Sequence, residues 1–181
     1  FFTMITSIIL GMGVPTTANY VITSTIAAPA LVQMGVPVLA AHMFVFYFGI
    51  IADVTPPVAL AAFAGSAISG GKPLKTGINA SKLAIAAFII PYIFVLSPVI
   101  LMIDATPVGL ITVLVTSIIG MIGLSASMIG CLVKPLNMFE RVVLFIGGLL
   151  MIQPGLVTDL VGFLLLTAVF FVQQRRTNSL G

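Results

Sequence analysis

From Phe1 to Met34 the chain is apolar with one interruption, Gly11-Met12-Gly13-Val14-Pro15-Thr16-Thr17. Two glycines and a proline in five positions break a regular helix. Such a break constrains the fold only if its surroundings are lipid, and composition says that they are. Hydrophobic residues make up 60% of the chain and charged residues 6%, with a mean hydropathy of +1.31. A soluble domain carries roughly 25% charged residues. So few charges over apolar runs of helix-spanning length predict an all-α, polytopic membrane protein. The alternation that marks a membrane barrel is absent. Inside a bilayer, broken backbone is tolerated only where protein buries it or a cavity wets it. The freed carbonyls and threonine hydroxyls then become oxygen ligands at membrane depth, as in the discontinuous helices of secondary transporters.

A second break follows at Asp53-Val54-Thr55-Pro56-Pro57, between apolar runs over 38–52 and 58–69 that are each too short to span comfortably. This pattern predicts a re-entrant hairpin over 38–69, beside a broken helix over 1–34 with a kink at Pro29. Gly35-Val36-Pro37 and Gly70-Gly71-Lys72-Pro73 read as turns. A long helix from about Thr76 to Met102 should bend at Pro91 and Pro98. Three further spans follow, over 108–132, 138–153 and 158–173, the first glycine- and serine-rich and so suited to close packing in lipid. Residues 1–103 thus read as a transport region and 104–181 as a transmembrane extension. The opening Phe1-Phe2-Thr3-Met4 is already apolar and has no charged leader, which predicts a piece of a longer membrane protein.

Charge sets the orientation. Lys72, Lys75, Lys82, Lys134, Arg141, Arg175 and Arg176 all fall on one side of this span count, and Asp104 and Asp159 on the other. The positive-inside rule makes the cationic side, and with it the C-terminus, cytoplasmic. The net charge of +3 comes without a basic, aromatic-interleaved cluster, so no nucleic-acid partner is expected. Cys131 is alone, which excludes a disulfide framework and reads as a small buried hydrophobe.

No catalytic residues emerge: metalloprotease, nucleophile-elbow and phosphate-loop motifs are all missing. Glu140 beside Arg141 reads as solvated or paired charge. His42, the one histidine, reads first as a satisfied interior residue and second as a proton-relay group. Asp53 has two readings: a functional charge near a cavity, or a surface residue capping the helix that starts near Val58. Two breaks bearing threonine favour a site for a hard cation such as sodium, with no transition metal and no cofactor. Channel, structural or assembly subunit, and intramembrane enzyme are the competing classes.

The run Gly11 to Ala18 resembles the second-repeat motif of the large membrane subunit of TRAP (tripartite ATP-independent periplasmic) transporters. So do Ala28-Pro29-Ala30-Leu31, Ala40-Ala41-His42-Met43-Phe44-Val45-Phe46-Tyr47-Phe48 and, most closely, Ile51 to Ala61. The resemblance is strongest to the fused permeases that pair with TAXI-type binding proteins. Gln153-Pro154-Gly155 and Thr158-Asp159-Leu160-Val161-Gly162 look like their C-terminal extension. It implies the second half of an inverted-repeat, elevator-type carrier in a bacterial or archaeal cytoplasmic membrane. That carrier would import an organic anion with sodium, delivered by a periplasmic binding protein. The resemblance implies sodium ligands at Gly11, Gly13, Pro15, Thr16, Thr55 and Pro56, with Thr17, Asp53 and Pro57 on the substrate side. A proton-coupled carrier is the alternative.

Overall fold

A computed structural model describes residues 1–153 and 155–178, with side chains to Gln174. The chain forms α-helices and two short 3-10 turns, with no strand among the described residues. It divides into two compact units, Phe1–Leu101 and Met102–Gly181.

The first unit holds α1 (Phe2–Gly11), α2 (Thr16–Ile26), α3 (Ala28–Gln33), α4 (Val38–Ile51), α5 (Leu60–Ser69), α6 (Pro73–Leu83) and α7 (Ile85–Leu96). Helix α4 is apolar around its circumference, and such a helix is stable only when enclosed. It is enclosed by α1, α2, α3 and α7. Ala41, Phe44, Val45, Phe48 and Ile51 of α4 form the core with Ala27, Ala28 and Leu31. Edge-to-face ring pairs tie this core to α7: Phe44–Tyr92 at 5.4 Å, Phe48–Tyr92 at 5.7 Å and Tyr47–Phe94 at 5.7 Å. The Tyr92 hydroxyl donates to the Met4 sulfur on α1 at 3.3 Å.

Both sequence breaks appear. Helix α1 ends at Gly11 and α2 starts at Thr16, and the kink expected at Pro29 separates α2 from α3 at Ala27. After α4 the chain makes a 3-10 turn over Ala52–Val54, then a Pro56-Pro57 turn, before α5. The arms of the expected hairpin over 38–69 are not packed on each other. Instead α5 packs on α6, where bare Gly77 admits Pro56, Ala59 and Phe63 to within 3.4 Å of the point a Cβ would occupy. The Ser81 hydroxyl on α6 donates to the Val54 carbonyl at 3.0 Å and pins the turn there. Helices α1 and α2, on either side of the first break, are in contact with each other and with α4.

The long helix expected from Thr76 is two, bent by 42° between α6 and α7. The bend falls at Ala84, where the polar stretch carrying Lys75, Asn79, Ser81 and Lys82 gives way to an apolar one. Pro91 lies inside α7 without ending it, and the helix stops at Leu96, before Pro98.

The second unit is built from α8 (Pro107–Ile129), α9 (Met138–Ile152) and α10 (Leu156–Asn178). Helix α9 packs against both neighbours. Its Gly148 carbonyl lies 2.8 Å from where a Cβ on Gly120 would be, so α8 and α9 meet backbone to backbone. Helices α8 and α10 are long and apolar enough to cross a membrane. Helix α9 has 15 residues, about 22 Å at an α-helical rise and short of the ~30 Å hydrocarbon core. Glu140 is not a solvated charge. It is 6% exposed, accepts from the Asn137 amide at 2.9 Å in a capping box, and lies 3.4 Å from Gln173 Nε2. Arg141 donates to the carbonyls of Ser127 and Met128. Cys131 is exposed rather than buried, because it follows Gly130, where α8 has ended. Pro154 and the side chains of Arg175 and Arg176, read above as a motif residue and as charges on the cytoplasmic side, lie outside the described residues.

Candidate functional site

The first break is built by Gly13, whose φ of +73° suits a residue without Cβ, and by Pro15, which precedes α2 with extended backbone. Gly13, Pro15, Thr16 and Thr17 are all exposed, and the Pro15 carbonyl accepts from the Asn19 amide at 2.9 Å as the first bond of α2. Gly11 is buried at the α1 end. A Cβ there would collide with the Gly49 carbonyl and lie 2.9 Å from Asn19 Nδ2.

At the second break, Asp53, Thr55 and Pro56 are half-buried and Pro57 is exposed. The Thr55 hydroxyl donates to the Ile51 carbonyl at 2.8 Å, which leaves its oxygen lone pairs as acceptors. Asp53 lies in the 3-10 turn and does not cap the following helix: α5 has Ala59 at that position, in left-handed backbone and with no side-chain cap.

The two breaks meet at their leading edges. Gly11 abuts Gly49, and α1 packs against the Ala52–Val54 turn. The carbonyl end of α1, which carries partial negative charge, therefore lies beside the turn that holds Asp53 and leads to Thr55. Oxygen-rich backbone of this kind suits a hard cation. Among the described residues no three of His, Cys, Asp and Glu cluster as a metal site would need.

Asn19 and Gly49 belong to this junction and were not legible as site residues. Asn19 is 3% exposed and wedged between Gly11 and Gly49. Its polarity one turn past a helix break in an apolar setting was the available signal. Nearby, the Tyr20 hydroxyl lies 3.0 Å from His42 Nδ1 and joins α2 to α4. The pair opens on a cleft of about 260 Å³ walled by Leu39, Met43 and Phe46. His42 thus has a partner in Tyr20, but the bond is exposed and His42 is half-buried rather than interior.

No curated protein matches this chain, and no solved structure does. The family model described as "Tripartite ATP-independent periplasmic transporter, DctM component" matches residues 1–109, which takes in both breaks and every helix of the first unit. The chain is a multi-pass helical membrane protein, and it belongs to the DctM family of TRAP transporter components.

Proposed function

We propose that this segment is the second transport half of a sodium-coupled importer of organic anions, fed by a periplasmic binding protein. It works in a prokaryotic cytoplasmic membrane with the C-terminus on the cytoplasmic side. The observation that carries this reading is the meeting of the two breaks, Gly11 on Gly49 and α1 on the Ala52–Val54 turn. Discontinuous helices whose ends converge are how carriers assemble ion sites at membrane depth. Gly11, Gly13, Pro15, Thr16, Thr55 and Pro56 supply oxygens and shape, with Thr17, Asp53 and Pro57 toward the substrate.

The packing of α1 on α2, and of α5 on α6 rather than α4, supports a re-entrant pair at α1–α2 and a broken span at α4–α5. A body centred on α4 then moves as one in an elevator step. Thr16→Val and Thr55→Val in the full-length transporter test the site. Each should lose sodium-driven uptake in proteoliposomes while inserting normally; unchanged uptake per inserted molecule would remove these hydroxyls from it.

Proton coupling is the second reading, favoured by the Tyr20–His42 hydrogen bond in an apolar setting. It predicts uptake driven by a pH gradient without sodium and abolished by His42→Gln.

A further inference from the structure

Asn19 carries a polar group with nothing to do. Its Oδ1 is buried and accepts no hydrogen bond. Native proteins satisfy buried carbonyl oxygens almost without exception, and an orphan calls for an explanation such as an ion. The neighbouring buried hydroxyls do not serve it: Ser7 donates to the Thr3 carbonyl at 2.8 Å, and Thr23 to the backbone carbonyl of Asn19 itself at 2.9 Å.

The surroundings are shaped for this amide. A Cβ on Gly49 would strike Oδ1, and a Cβ on Gly11 would press on Nδ2 and the Gly49 carbonyl. Two helices thus withhold side chains around a carboxamide whose oxygen receives nothing. An apolar residue could fill such a notch without burying an unpaired polar atom, so packing alone does not account for an asparagine. The negative end of α1 lies at the same place, because Gly11 is its last residue and abuts Gly49.

We propose that Asn19 is a cation ligand: its Oδ1 binds a monovalent hard cation of the sodium class at the α1–α2–α4 junction. A neutral amide oxygen suits a singly charged ion, whereas a divalent one draws carboxylates. The ion also explains why three helices of different origin in the chain converge on one carboxamide. This inference rests on the sodium-coupled reading above and adds to it a side-chain ligand that neither break contains.

The test uses the full-length transporter, with Asn19→Leu and Asn19→Asp beside the wild type. Two readouts are followed: sodium-induced thermal stabilisation in detergent, and sodium-dependent uptake in proteoliposomes, each titrated against potassium. Losing one ion-binding oxygen should raise the half-saturating sodium concentration roughly tenfold or more for Asn19→Leu. Asn19→Asp, which keeps an oxygen and adds charge, should lower it. An Asn19→Leu protein with unchanged half-saturating sodium in both readouts overturns the proposal. If Asn19→Leu does not insert, Asn19→Asp decides, and an unshifted value there overturns it. A wild type that responds to sodium in neither readout overturns the sodium reading itself, which an effect confined to the Asn19 variants does not.

Discussion

At the scale of single residues, what matters around the site is the absence of side chains. Gly11 and Gly49 are bare because α1 and α4 approach until backbone touches backbone, with the Asn19 carboxamide between them. Gly13 is bare for another reason: its φ is +73° and open space surrounds it. The two situations predict different responses. Gly49→Ala must displace Asn19 or part the helices, and overpacking of this kind costs about 1–3 kcal/mol. Gly13→Ala meets no atom and pays only the left-handed penalty, about 1 kcal/mol. Thermal unfolding of the purified transporter should therefore show the larger loss for Gly49→Ala, and equal losses would contradict the notch. Gly13 was legible in the sequence, because a Gly-x-Gly-x-Pro run announces its own backbone. Gly49 was not, because its constraint comes from the Asn19 side chain on another helix, α2, distant in sequence.

At the scale of elements, punctuation by glycine and proline was readable wherever the chain itself bends. The ends of α1, α3 and α5 and the starts of α4 and α8 follow from Gly, Pro and Asp-Thr-Pro clusters. Pro91 shows the limit of that logic. A proline removes one hydrogen bond, and membrane helices absorb the loss. The real bend at Ala84 lies instead where polarity changes, a signal that a search for helix breakers passes over.

Glu140 teaches a similar lesson. Beside Arg141 it reads as a surface charge, yet the two part company, Glu140 to the Asn137 cap and Gln173, Arg141 to the end of α8. Removing a buried, multiply bonded carboxylate strands its donors, at about 2 kcal/mol or more. Glu140→Ala should lower the unfolding temperature of the full transporter, and Glu140→Gln, which keeps an acceptor oxygen, should lower it less. Equal shifts would mean that the capping bond contributes little.

At the scale of the whole molecule, composition alone carried the membrane class, and the two breaks carried the family. The packing of the second break was harder to read, because both breaks have short apolar arms and nothing in them announces that α5 lies against α6. Orientation is a prediction at this scale. With Cys131→Ser as background, Asp104→Cys and Lys134→Cys flank the 23-residue α8, and impermeant maleimide should label the first on intact cells and the second only after permeabilisation. Labelling from one side would mean that α8 does not cross.

The central place of α4 bears on how the bilayer reaches this protein. A hydropathy profile marks 38–51 as greasy and so as a segment bathed in acyl chains. Yet Val45 and Phe48 are 0% exposed within the protein, while Val38 and Leu39 at one end are more than half exposed. A photoactivatable lipid should therefore crosslink near Val38 and leave Val45 and Phe48 unmarked. Changes in membrane thickness or fluidity can press on the ends of this helix, but Val45 and Phe48 answer to protein neighbours alone.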